Sequence, residues 1–220
     1  MEGSFQNARV SKPPSCSALC SNEYGDNEML KVMLIGDSIR LHYQPKVIEL
    51  MNETATISGP VENCRFSSYT LFHLAAWVPE DNFDVIQWNN GQWDTCHMPD
   101  GRIHTSLASY LDIQERIAKI LLKKTKRLIF ATTTPVWAEQ FTSGSIHPRR
   151  NEDILDYNSA AVDLLTGLGI EINDLHSPIA ADVKKYISKD MVHLTEAGNA
   201  VCAARVAELF QHATSVPLDV

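Results

Sequence analysis

The chain has 220 residues, 44% of them apolar and 21% charged, with a net charge of −8 and a pI near 5.4. That length suits one domain with a sizeable core, and the composition is that of an ordinary globular protein. The acidic balance leaves no basic stripe to neutralise phosphates, which excludes nucleic acid as the main partner, and no apolar run reaches membrane-spanning length.

Residues 1–28 are polar, rich in Ser, Pro, Asn and Gly, and without periodicity, so they read as an N-terminal extension ahead of a domain at 29–220. They also lack an apolar signal core, from which a cytoplasmic location is expected. From Met29 onward, strand and helix patterns alternate. Lys31–Gly36 predicts a short apolar strand, and Ile39–Met51 a helix with Leu41, Val47, Ile48 and Met51 apolar. Thr54–Ser58 predicts a second strand, ending at Gly59-Pro60, and Thr70–Trp77 a helix. Phe83–Trp88 is a third strand. Ser106–Lys124 has the clearest amphipathic spacing, with Thr105 or Ser106 as its cap. Its basic end, running to Arg127, reads as a solvated helix terminus. Arg127–Thr133 is a fourth strand, Asn151–Leu168 a helix ended by Gly169, Ile170–Leu175 a fifth strand and Thr195–Gln211 a last helix. Five apolar strands separated by helices imply βαβ units, a five-stranded parallel sheet and a three-layer α/β/α sandwich.

The five cysteines, Cys16, Cys20, Cys64, Cys96 and Cys202, are odd in number and scattered. Reduced thiols are expected, because Cys16 and Cys20 have no second half of a metal site. A site from Cys96, His97 and His104 is poor on spacing, so no metal and no cofactor are expected. Asn52-Glu53-Thr54 matches a glycosylation sequon, which has no meaning without secretion.

The chemistry-bearing residues follow the strands, where the carboxyl edge of a parallel sheet collects them. After the first strand come Gly36, Asp37 and Ser38; after the second, Gly59; after the third, Asn89, Asn90, Gly91 and Asp94. Asp190 and His193 precede the last helix. A serine on a tight turn is a weak nucleophile until a base takes its proton, and an aspartate beside a histidine can orient that base. Each block alone has a plain structural reading, as a turn or a helix start. Their order and placement carry the case.

Together, Gly36-Asp37-Ser38-Ile39-Arg40, Gly59, Asn89-Asn90-Gly91-Gln92-Trp93-Asp94 and Asp190-Met191-Val192-His193 resemble the blocks of the SGNH hydrolases, the GDSL-type esterase and lipase superfamily. The resemblance spans roughly Lys31 to Phe210. The third block departs from the commoner Gly-x-Asn-Asp and resembles a variant, Asn-x-Gly-x-x-Asp. The resemblance implies a flavodoxin-like fold and a small-molecule ester as substrate. It implies Ser38 as nucleophile, His193 as general base and Asp190 as its orienting partner. The oxyanion donors would be the N–H groups of Ser38 and Gly59 and the amide of Asn89, with Asn90 in reserve. Asp37 and Asp94 read as structural. Arg40, Trp93 and Trp137 are substrate-contact candidates, although Arg40 also reads as a brace of the first helix and the tryptophans as core. Arg149-Arg150 is electrostatically odd at a helix start, which prefers anions. The connections 91–105 and 134–150 are long enough to shape specificity. Thioester or lysophospholipid cleavage, or carbohydrate or protein binding without catalysis, are the alternative functions. A flavin- or phosphate-binding protein lacks its Gly-rich cradle.

Overall fold

The computed structural model describes residues 29–142 and 144–211. The extension 1–28, with Cys16 and Cys20, lies outside them, as does His212. The strands β1 (Leu30–Ile35), β2 (Ala55–Ser58), β3 (Phe83–Trp88), β4 (Thr125–Ala131) and β5 (Glu171–Asn173) form one sheet, all parallel, in the order β2-β1-β3-β4-β5. Parallel ladders require a crossover between strands, and helices supply them. These are α1 (Ser38–Leu50), α2 (Ser67–Trp77), α3 (Leu107–Leu121), α4 (Asn151–Gly167), the short α5 (His176–Ala180) and α6 (Val183–Tyr186), and α7 (Glu196–Gln211).

β1 is paired on both sides, so its side chains alternate between two buried faces. Val32 and Leu34 pack with Tyr43 and Val47 of α1 and Cys202 and Val206 of α7. Met33 and Ile35 point the other way, toward Leu74 of α2, Tyr110 and Ile117 of α3 and Ala161 of α4. The result is the expected three-layer sandwich. Trp88 is fully buried and its indole N–H donates to Gln114 Oε1 at 2.8 Å. It is a core residue.

The predicted elements differ from the observed ones mainly at their ends. β4 stops at Ala131 because Thr133 N–H turns to the Asn158 side chain at 2.8 Å. Ser106 is the cap of α3, accepting from Ser109 N–H at 3.3 Å. Gly169 ends α4 with a φ of 76°, and Ile170 N–H reaches Leu165 O at 3.0 Å, closing the helix as a left-handed C-cap does. β5 is only three residues long, and the two short helices that follow it carry no periodic signal. Among the described residues no helix is long and apolar enough to cross a membrane.

The strand order reverses between β1 and β3, and at such a switch point the loops diverge and leave a crevice at the carboxyl edge. Ser38 follows β1 and Asn89 follows β3, so both stand at that point.

Candidate active site

Ser38 is the first residue of α1, directly after the buried end of β1. Asp37 caps the helix, its Oδ1 accepting from Ile39 N–H at 2.9 Å. Backbone N–H groups of a helix's first turn have no partner inside the helix, so the Ser38 N–H is available to an acceptor beyond the turn. Asp37 is buried, and its second oxygen has no partner among the described residues. Burial pushes its carboxyl above the ordinary value; the Ile39 N–H and the charges of Arg149, His193 and Arg40 oppose that. Gly36 has no room for a side chain, since a Cβ there would lie 2.8 Å from Arg40 Cβ.

His193 arrives from the other end of the chain. Its Nε2 lies 2.8 Å from Ser38 Oγ and its Nδ1 2.8 Å from Asp190 Oδ2. The loop is held by its own backbone: Asp190 Oδ1 accepts from Val192 N–H at 3.0 Å and His193 N–H at 2.8 Å, and Ser188 N–H donates to His193 O at 2.7 Å. Desolvation works to raise the Asp190 carboxyl, but these donors, with Ser188 and the imidazole, hold it well below the usual carboxylate range. Met191 adopts a left-handed φ of 75°, which turns the chain back so that His193 faces Ser38. Its carbonyl accepts from Trp137 N–H at 2.9 Å, tying the loop after β4 to the histidine loop.

Arg40 is 2% exposed, and its Nη2 donates to Gly36 O at 3.2 Å and Glu62 O at 3.1 Å while Nη1 donates to Gln44 Oε1 at 3.0 Å. As a substrate contact it is therefore corrected: its donors join the loops after β1 and β2. Gly59 lies in the same knot, where a Cβ would come within 2.6 Å of Leu34 O and 2.8 Å of Gln44 Oε1. Close packing alone accounts for the glycine. Asn89 is half-buried at the edge of the crevice, with its Nδ2 donating to Ala131 O at 2.7 Å. Asn90 is fully buried, donating to Thr70 Oγ1 at 2.8 Å, which leaves it facing α2. Asp94 is likewise interior, accepting from Ser67 Oγ at 2.6 Å. Trp93 and Trp137 are half-buried, and Trp137 packs on the core beside α7. His97 pairs with Asp153 at 2.8 Å and His104 bonds Thr105 Oγ1 at 2.9 Å; among the described residues no cluster suits a metal ion.

No family model matches the chain, and no curated protein does either. Solved structures do. The acetyl xylan esterase AlAXEase superposes with a TM-score of 0.65 at 18% identity, covering 82% of this chain and 99% of its own. A GDSL-like lipase from Bacteroides thetaiotaomicron gives 0.65 at 14% identity, covering 83% of this chain and 88% of its own. The fold is that of the SGNH hydrolases. A lipase/acylhydrolase from Enterococcus faecalis agrees, with a TM-score of 0.66 at 16% identity and coverage of 84% and 96%.

His42 lies beside the pair formed by Ser38 and His193. In the fold its ring centroid lies 5.0 Å from that of His193. Its position four residues after Ser38 carried the signal, because residues i and i+4 share a helix face. Partial burial and the neighbouring His193 push the His42 imidazole below its ordinary value, against the pull of Asp190.

Proposed function

We propose that the protein is a serine esterase that cleaves small carboxylic esters through an acyl-enzyme on Ser38. The observation that carries this reading is the continuous chain from Asp190 through His193 to Ser38 Oγ, with both contacts at 2.8 Å. A hydroxyl so placed can pass its proton to Nε2 as Oγ attacks the ester carbonyl. The imidazolium that forms is stabilised by the Asp190 carboxylate, which stays ionised at neutral pH. The proton then goes to the departing alkoxide, and water repeats the sequence to release the acid. Negative charge on the former carbonyl oxygen would be met by the N–H groups of Ser38 and Gly59 and by the Asn89 amide. Each such donor is typically worth about 10²–10³ in rate. For Asn89 this requires one amide hydrogen to turn from Thr133 Oγ1, 3.5 Å away, to the crevice while the other stays on Ala131 O.

A short acyl group, such as an O-acetyl on a carbohydrate, is the substrate favoured here. Support comes from two sides: one solved structure of this fold is an acetyl xylan esterase, and the crevice is flanked by polar and aromatic loops. Hydrolysis of p-nitrophenyl esters from C2 to C12, wild type beside Ser38→Ala, tests the reading. Turnover peaking at C2–C4 and absent in the variant is expected. Turnover that survives Ser38→Ala would overturn it.

A further inference from the structure

The His193 imidazole is tied to two different parts of the molecule. Its Nδ1 contact goes to Asp190 on the same loop, so that contact orients the ring within the loop and not against Ser38. Two other contacts refer the ring to α1, which carries Ser38. One is the hydrogen bond between Nε2 and Ser38 Oγ at 2.8 Å. The other is the His42 ring, with centroids 5.0 Å apart and planes inclined at 48°. His42 stands one turn after Ser38 on the same helix face. The next residue, Tyr43, and Val47 are buried, so the helix beneath His42 is fixed, while the His42 side chain is exposed.

In the reaction proposed above, these two contacts do not last equally long. Once Ser38 Oγ is bonded to the acyl carbon it has no proton to share, and its hydrogen bond to Nε2 is lost. The His193 side chain is 35% exposed, so the interior does not enclose it. Yet the second half of the reaction needs the ring in the same place. Nε2 takes a proton from water as the water oxygen bonds to the acyl carbon, then returns it to Oγ as the Oγ–acyl bond breaks. A contact between rings does not depend on the state of Oγ. Partial burial and His193 also hold the His42 imidazole below its ordinary value, so at neutral pH it is largely uncharged beside the imidazolium.

We infer that His42 is a positioning residue that holds the His193 imidazole against α1 while Ser38 is acylated, and so acts on deacylation more than on acylation. This rests on the serine-esterase reading, and the experiment separates the two. The substrate is p-nitrophenyl acetate. Steady-state kinetics gives kcat and kcat/KM, and intact mass after acid quench at saturating substrate gives the fraction of enzyme that carries an acetyl group. Dividing kcat by that fraction gives the deacylation rate constant, whichever step limits turnover. His42→Ala should lower this constant about 10-fold, within the roughly 10²-fold that misplacing a reacting group can cost. It should leave kcat/KM, which reports the steps up to acylation, within about twofold, and the acetylated fraction should not fall. Tm should stay within a few degrees, because the side chain is exposed. His42→Phe keeps a ring against His193 and should recover most of the loss. An unchanged deacylation constant in His42→Ala, or an equal loss in kcat/KM, would overturn the inference. So would a loss that His42→Phe does not recover, because the imidazole's own hydrogen bonds or charge would then be its cause. If the wild type forms no acetyl-enzyme that depends on Ser38, the esterase reading fails and this inference falls with it. If acetyl-enzyme forms on Ser38 and its breakdown ignores His42, this inference alone fails.

Discussion

The two halves of the candidate site are built in opposite ways. The Ser38 turn is set into the core: Asp37 and Arg40 are buried beneath it, and Arg40 ties it to the loop after β2. The Asp190–His193 loop lies at the surface, with side chains 53% and 35% exposed, and is held by short-range backbone bonds and the Trp137–Met191 link. Ser38 is thus positioned by folding itself, whereas His193 is positioned by one self-bonded turn. Substitutions under the serine should show in stability, and substitutions in the histidine loop in rate.

The largest expected effect is in rate. His193→Ala should lower kcat by about 10⁴–10⁶-fold while Tm stays within a few degrees, because the ring is on the surface. Asp190→Ala should cost less, no more than about 10⁴-fold, since water reaches the exposed loop and can partly replace the carboxylate. Steady-state kinetics on one ester ranks the two. A reversed ranking would mean that the aspartate does more than orient the ring.

On the other side of the comparison, Arg40→Met should act on stability. It removes a buried guanidinium together with its hydrogen bonds to Gly36 O, Glu62 O and Gln44 Oε1, at a cost of about 2–5 kcal/mol, or a fall in Tm of about 5–15 °C. A variant that loses activity at unchanged Tm would return Arg40 to the substrate.

pH dependence sharpens the contrast. The folded Asp190 carboxyl lies below its ordinary value of 3.8, so the stability it lends is fully present above that value and is lost only as pH falls through the folded one. The Tm difference between wild type and Asp190→Asn should therefore be flat from pH 5 to pH 8 and shrink below about pH 4. The effect is small because the group is exposed to solvent screening. A difference that changes between pH 6 and pH 8 would point to another titrating group.

The smallest effect concerns Met191. Its left-handed φ costs a side-chain residue about 1–2 kcal/mol, against the entropy a glycine loses on folding. Met191→Gly should stabilise by up to about 1 kcal/mol in a denaturant titration. Destabilisation would mean that the methionine side chain anchors the loop.

The sequence made the sheet and the order of the blocks legible, because parallel strands buried on both faces read as continuous apolar runs such as Val32–Ile35. Ser38, Asp190 and His193 were legible as residue types on loops, and the fold brings them within hydrogen-bonding reach. Arg40 was ambiguous because a guanidinium can serve substrate or carbonyls equally, and only its burial decides. The position of Trp137 against Met191 is a backbone contact, to which side-chain identity is blind. The short helices α5 and α6 were missed because four or five residues hold no period to detect.

The most direct measurement is intact mass after reaction with a fluorophosphonate, in wild type, Ser38→Ala and His193→Ala. A nucleophile activated by the 2.8 Å contact should give one adduct, mapped to Ser38, absent from Ser38→Ala and formed far more slowly in His193→Ala. No adduct on the folded wild type, or an adduct that persists in Ser38→Ala, would contradict the assignment of Ser38 as the activated serine.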